Sequence, residues 1–212
     1  MYIEPKFDNI ISNVTVAENA AKIRRNLFPQ RKRIQKMEIW DVFNKDGKPT
    51  GRTVPRKSPI LRKGEYHLVV HIWTTDGRGN LLIQKRSESK TLMPGQWAAT
   101  GGAAVAGEDS RTAAVRELKE ELGIEKCVGD LKLLKRITRR NSFVDVYMTK
   151  ERVLVNTLSL QAEEVAEARW VSPDCLKRMI ERGEFHDYGK AYFETLFVAL
   201  KKWKESQNEQ TT

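Results

Sequence analysis

Gly101-Gly102-Ala103-Ala104-Val105-Ala106-Gly107-Glu108-Asp109-Ser110-Arg111-Thr112-Ala113-Ala114-Val115-Arg116-Glu117-Leu118-Lys119-Glu120-Glu121-Leu122-Gly123-Ile124 is the stretch on which the reading of this chain turns. Asp109 or Ser110 can cap a helix, and Gly123 suits the left-handed residue that ends one. With Glu117 as origin and a step of ~100° per residue, Glu121 falls near ~40° and Glu120 near ~300°. Leu118, Leu122, Ala114 and Val115 fall between about 60° and 160° by the same step. The helix therefore has an apolar face and an acidic edge. Like charges at these spacings repel by roughly 0.2–0.5 kcal/mol per pair. A purely structural helix has no need of that repulsion, and a divalent cation removes it. Carboxylate oxygens suit Mg²⁺ or Mn²⁺, which also engage phosphates. Three glutamates alone read more simply as a solvated face. The glycines ahead of them shift that balance, because they let backbone approach a ligand or metal closely.

Outward from the helix, short strand patterns dominate. Glu38 to Phe43 reads as a strand with Asn44-Lys45-Asp46-Gly47 as its turn. A loop with Pro49, Pro55 and Pro59 follows, carrying Arg52, Arg56, Lys57, Arg62 and Lys63. Tyr66 to Thr75 is rich in β-branched and aromatic residues, and Asp76-Gly77-Arg78-Gly79-Asn80 returns it to a paired strand, Leu81 to Lys85. Residues 131–138 and 143–149 form a second strand pair, and Ala168 to Val171 a short last strand. Helices are predicted at 110–122, 174–181 and 188–204. The last presents Tyr192, Leu196 and Leu200 at a spacing of four, with Phe193 and Phe197 beside them. Without regular βαβ alternation, the pattern predicts an α/β fold: a mixed sheet with helices on its faces.

The chain has 212 residues, 40% hydrophobic and 31% charged, which suits one domain with extensions. No stretch approaches the ~18–20 apolar residues of a membrane span, and the stretch MYIEPKFDNIISNV, with no basic start followed by an apolar block, does not read as a secretory signal. Cys127 and Cys175 are the two cysteines, which excludes a disulfide framework and a four-cysteine zinc site. A reducing, cytoplasmic setting and no membrane partner are the expectations. The net charge of +10 suggests an anionic partner. Residues 1–36 hold eight Lys/Arg against three acids, so this excess is concentrated there. The expected organisation is a basic N-terminal extension (1–36) with a short helix from Val16 to Leu27, a main domain (37–205) and a C-terminal tail (206–212). A solvated tail is preferred over a nucleic-acid contact for the run Arg31, Lys32, Arg33. A homodimer through the first strand or the extension is left open.

Gly102, five residues, Glu108, seven residues, then Arg116-Glu117-Leu118-Lys119-Glu120-Glu121-Leu122-Gly123-Ile124 resembles the Nudix box, G-x5-E-x7-R-E-U-x-E-E-x-G-U, with U a bulky aliphatic residue. Every specified position agrees. The elements from about residue 38 to 200 also fit the Nudix α/β/α sandwich. The resemblance implies hydrolysis of a nucleoside diphosphate linked to another moiety, with Mg²⁺ or Mn²⁺. By position it implies Glu120 and Glu121 as metal ligands, Glu117 as ligand or base, and the Gly101 carbonyl as a further ligand. Glu108 becomes an accessory acid that serves further metal ions or holds Arg116. Gln161-Ala162-Glu163-Glu164-Val165 reads either as a plain charged loop or, by the resemblance, as the loop from which in many of these enzymes a glutamate, here Glu164 or Glu163, reaches the metal or acts as base.

A narrower resemblance lies in the flank. Leu81-Leu82-Ile83-Gln84-Lys85-Arg86-Ser87-Glu88-Ser89-Lys90 and Pro94-Gly95-Gln96-Trp97 look like bacterial isopentenyl-diphosphate isomerases, which share the fold. That likeness implies that Arg86 and Lys90 hold a substrate diphosphate, and it aligns His67 with a metal-ligand histidine. Gly101 stands where isomerases carry their cysteine, and Ala103 where they carry a histidine. No carboxylate stands near Ser142, where their catalytic glutamate falls. Proton shuttling across a double bond then lacks both partners. Hydrolysis is the preferred reading, with an isomerase-like enzyme or a nucleic-acid-binding, regulatory domain as alternatives. Among weaker signals, Asp145 could face the cleft, Arg52, Arg56 and Lys57 could rim it, and Trp40, Trp73 and Trp97 read better as packing than as stacking groups.

Overall fold

The sandwich is built on one strand whose alternation serves two cores. Along β3 (His67–Thr75), Leu68, Val70 and Ile72 point one way while Val69, His71 and Trp73 point the other. Both faces are covered, so the strand reads as a nearly continuous apolar run. The computed structural model describes residues 38–209. The basic extension 1–36, with the helix expected from Val16 to Leu27, lies outside the described residues.

β3 pairs in parallel with β8 (Ser142–Lys150) from His67↔Ser142 to Thr75↔Lys150. β8 pairs antiparallel with β7 (Lys132–Thr138). On its other edge β3 meets β4 (Leu81–Arg86) at Thr74↔Leu82 and Thr75↔Leu81, and then β6 (Thr100–Ala103) from Ile72↔Thr100 to Val69↔Ala103. β4 continues outward to β5 (Trp97–Ala98) and β9 (Val165–Val171). The sheet is mixed, as its sequence pattern predicts.

The helix of the quoted stretch is α1 (Ser110–Leu122). The Asp109 carboxylate accepts from Thr112 N–H at 2.8 Å, capping the start. Gly123, at φ 71°, ends it in the left-handed conformation, donating its N–H to the carbonyls of Leu118 and Lys119. Ala113, Ala114, Leu118 and Leu122 bury against Leu68, Val70, Ile72, Leu82 and Tyr147. The opposite face carries α2 (Pro173–Glu181) and α3 (Lys190–Glu209). Leu176, Met179, Tyr192, Phe193, Leu196 and Leu200 pack there on Trp73, Ile83, Val144, Val146 and Met148. Among the described residues, no helix is long and apolar enough to cross a membrane.

Several features depart from the sequence reading, among them the last helix, which runs to Glu209 and so takes in the start of the tail expected at 206–212. The proline-rich loop contains a strand, β2 (Pro49–Pro55), paired with β1 (Ile39–Phe43). Its prolines sit at the two ends, Pro49 opposite Phe43 and Pro55 opposite Ile39, where a missing N–H breaks no interior ladder bond. Gly101 and Gly102, ahead of α1, lie in a strand, β6, that the sequence reading did not include. Asp145 does not face the cleft: it is 1% exposed, and Arg136 grips it through Nε (2.6 Å) and Nη2 (2.7 Å). The cross-strand register Arg136↔Asp145 sets that pair.

Candidate active site

The acidic edge of α1 is split by depth. Glu117 and Glu121 are buried, at 8% and 3% exposure, while the Glu120 side chain is half exposed. Arg116 uses all five of its N–H donors around them. Nε and Nη2 bind the two Glu108 oxygens (2.8 and 3.1 Å), Nη1 binds Glu117 Oε1 and Glu120 Oε2 (both 2.9 Å), and Nη2 also binds the Ala103 carbonyl (3.1 Å). Glu108 accepts in addition from Val105 N–H at 3.0 Å. The helix end and the loop before it are thus stitched together by one guanidinium.

Glu121 Oε2 accepts from Gln84 Nε2 (2.8 Å) and from Gly101 N–H (3.1 Å). Gln84 is itself held by Thr100 Oγ1, which donates to Gln84 Oε1 at 3.2 Å. This leaves Glu117 Oε2 and Glu121 Oε1 without a partner among the described residues, and neither is sealed from solvent. Both residues line a cavity of about 270 Å³. Burial pushes both carboxyls well above the usual carboxylate range. At Glu121 the Glu117 charge adds to that rise, whereas Arg116 partly offsets it at Glu117.

The two glycines of β6 are required sterically. A Cβ at Gly101 would fall on the Val70 carbonyl oxygen, and one at Gly102 on the Glu117 carboxylate. The closeness of backbone to carboxylates is therefore built in.

The same lining includes cationic and aromatic groups, among them Arg86, Arg139, His186, Tyr188 and His71. Arg86 Nε donates to the Leu92 carbonyl at 3.0 Å; neither Arg86 nor Arg139 has a carboxylate partner among the described residues. Burial pushes the His71 ring down to about 3 and the Tyr188 hydroxyl up to about 12. Glu164 also lines the cavity, and its carboxylate pairs with Lys90 Nζ at 2.6 Å. The expected diphosphate pair is thereby divided: Arg86 fronts the cavity, while Lys90 is engaged by Glu164 outside its lining.

Other sequence candidates fall elsewhere. His67 stacks on Trp40, with centroids 4.1 Å apart, away from the cavity, and burial pushes its ring down to about 4. Arg56 lines the cavity and pairs with Glu38, whereas Arg52 is bound to Glu65 and Lys57 is exposed. Trp73 and Trp97 are core residues, the latter beneath the Arg169 guanidinium at 4.0 Å. Gln84, Arg139, His186 and Tyr188 escaped the sequence reading. For Gln84 a signal existed: a lone amide inside an apolar strand, on the face that Leu82 turns toward α1.

Among the described residues, no three Asp, Glu, His or Cys side chains converge into a preformed cation cage. What converges is a pair of unpaired carboxylate oxygens beside the Gly101–Gly102 backbone. Two desolvated carboxylates, of which only Glu117 has a cationic partner in Arg116, suit a hard divalent cation.

The NUDIX domain family model matches residues 65–192. An uncharacterized Nudix hydrolase of Listeria monocytogenes is 38% identical over 72% of this chain and 90% of its own length. Nudix hydrolase 3 of Arabidopsis thaliana is 35% identical over 63% of this chain, a region that makes up 19% of that longer protein. Among solved structures, DR0079 from Deinococcus radiodurans superposes with a TM-score of 0.61 at 26% identity, covering 78% of this chain and 98% of that one.

Proposed function

The chain belongs to the Nudix hydrolase family, and on that premise we propose that it cleaves the pyrophosphate link of a nucleoside diphosphate joined to another moiety, in a metal-dependent reaction. Membership makes it a Nudix pyrophosphohydrolase, in a family that generally uses divalent cations such as Mg²⁺ or Mn²⁺. The substrate and the metal ligands are our reading. The observation that carries it is the pair of buried carboxylates in the lining of a small cavity that also holds Arg86 and Arg139, which have no acid partner among the described residues.

Glu117, Glu121 and the Gly101 carbonyl would hold Mg²⁺ or Mn²⁺, with Glu120 at the rim. Such a cation supplies positive charge for pyrophosphate oxygens and acidifies or orients water. The protein's own contribution is mostly position and charge, as phosphoryl transfer demands. Arg86 grips the diphosphate through its planar fork. Arg116 fixes the spacing of Glu108, Glu117 and Glu120. Glu164, held in place by Lys90, takes the proton of the attacking water when Glu117 is engaged as a ligand. An isomerase reading is opposed at residue 101, where no side chain fits beneath the Val70 carbonyl.

The test is a screen of nucleotide sugars, dinucleoside polyphosphates, NADH, CoA, ADP-ribose and oxidised deoxynucleotides with Mg²⁺ and Mn²⁺. At least one should yield phosphate-bearing products, and Glu121→Gln should abolish that turnover. Full turnover in chelator, or none with any of these compounds, would sink the reading.

A further inference from the structure

Behind the cavity wall runs a short hydrogen-bond chain that the reaction as described does not use. Trp73 Nε1 donates to the Tyr192 hydroxyl oxygen at 2.9 Å, and that oxygen lies 3.0 Å from His71 Nδ1. An indole nitrogen can only donate, so the Tyr192 oxygen is the acceptor there. Tyr192 is buried, and its hydroxyl has no further partner among the described residues. Its own proton must therefore go to His71 Nδ1. The reverse assignment would strand a buried hydroxyl proton. With Nδ1 accepting, the ring hydrogen sits on Nε2. An imidazolium would carry a hydrogen on Nε2 as well, so the donor exists in either protonation state.

His71 Nε2 has no partner among the described residues and is not sealed from solvent, and the residue lines the cavity. Its surroundings favour an anion. The Tyr188 ring lies 4.5 Å from the His71 ring and 4.8 Å from that of His186. The Arg139 guanidinium sits 5.8 Å from the Tyr188 centroid and has no carboxylate partner among the described residues. His71 thus offers a hydrogen and Arg139 hydrogens and positive charge to the cavity, and among the described residues neither is bound by an acid there.

We propose that His71 is a fixed Nε2–H donor which, with Arg139, receives a phosphoryl oxygen of the bound diphosphate, and that Tyr192 and Trp73 are positioning residues that lock its tautomer. The identity of the anion rests on the pyrophosphohydrolase reading; the tautomer does not. With Nδ1 occupied by the Tyr192 hydroxyl and Nε2 protonated, His71 offers no free lone pair to a metal. It is a substrate-binding group only.

Long-range proton–nitrogen NMR on the full-length protein tests this directly. The wild type should show His71 with an unprotonated Nδ1 and a protonated Nε2. Methylenediphosphonate with Mg²⁺, a diphosphate that cannot be hydrolysed, should shift the His71 ring resonances. His71→Phe should weaken its binding by about 10-fold or more, the share of one hydrogen bond to a charged group. Tyr192→Phe should give averaged tautomer shifts at His71 and a smaller loss of binding. A bare Nε2 in the wild type, no binding of the diphosphonate, or unweakened binding by folded His71→Phe would each overturn the proposal. If His71→Phe does not fold, the wild-type spectra and the ligand-induced shift still decide it. A protein that turns over none of the screened nucleotides yet shows this tautomer and binds the diphosphonate would refute the hydrolase reading alone.

Discussion

In the metal-free protein, Glu121→Gln should raise the melting temperature at alkaline pH and remove the stabilising response to Mg²⁺. Glu121 is 3% exposed. Its two hydrogen bonds, from Gln84 and Gly101, favour the ionised form, but burial and the Glu117 charge outweigh them and raise its pKa above the ordinary 4.5. A raised folded pKa means that the native state binds more protons than the unfolded chain between those two values. Stability therefore falls as pH rises through that window. Each unit of rise costs about 1.4 kcal/mol above the folded pKa. At ~2–4 °C per kcal/mol for a domain of this size, that is about 3–6 °C per unit. Glutamine carries no charge and keeps an oxygen for both donors, so the variant escapes this penalty. The difference should vanish below about pH 4.5, where both states of the wild type are protonated. With Mg²⁺ at 100 times its Kd, the wild type should gain ~2.7 kcal/mol and the variant almost nothing. Turnover should fall about 10²-fold or more. Thermal melts in chelator and in Mg²⁺, at acid and alkaline pH, measure all but the last, which needs a hydrolysis assay. A variant that melts below the wild type in chelator at alkaline pH would show that hydrogen bonding outweighs burial. An equal gain from Mg²⁺ would remove Glu121 from the metal site.

Arg86→Ala should raise KM by about 10–10²-fold while the melting temperature barely moves, since its side chain donates to one carbonyl and to no acid; a large loss of stability with unchanged KM would make it structural. Gly102→Ala should cost more turnover than stability, because its methyl displaces only the flexible end of Glu117. Gly101→Ala meets the Val70 main chain and should mainly lower the melting temperature; circular dichroism melts beside kinetics separate the two. Arg136→Ala strands the buried Asp145 carboxylate and should cost ~3–5 kcal/mol in urea unfolding, with kcat of the surviving folded fraction unchanged.

How much of this was legible beforehand depended on whether the cause was local. The cap at Asp109, the left-handed Gly123 and the three-turn spacing of α1 all act within a few residues, and they are where the sequence put them. The strands β3, β4, β7 and β8 were readable because alternation and turn residues are also local signals. β2 was hidden because its prolines suggest a loop until the pairing shows that both stand at strand ends. Asp145 was misjudged because a strand residue's exposure depends on the partner across the ladder, here Arg136.

By itself the sequence determined the family, the sandwich and the glutamates of α1, since those residues lie in one contiguous segment whose spacing is a property of the helix. Only the tertiary structure decided how they differ. Glu117 and Glu121 are buried and Glu120 is not because β4 and β6 cover one side of the helix edge and leave the other open. Gln84 reaches Glu121 across 37 positions of chain, Lys90 reaches Glu164 across 74, and Tyr192 reaches His71 across 121. No periodicity records such separations. They follow from which strands pair and in what register, and that is settled by how the two cores close on either face of β3.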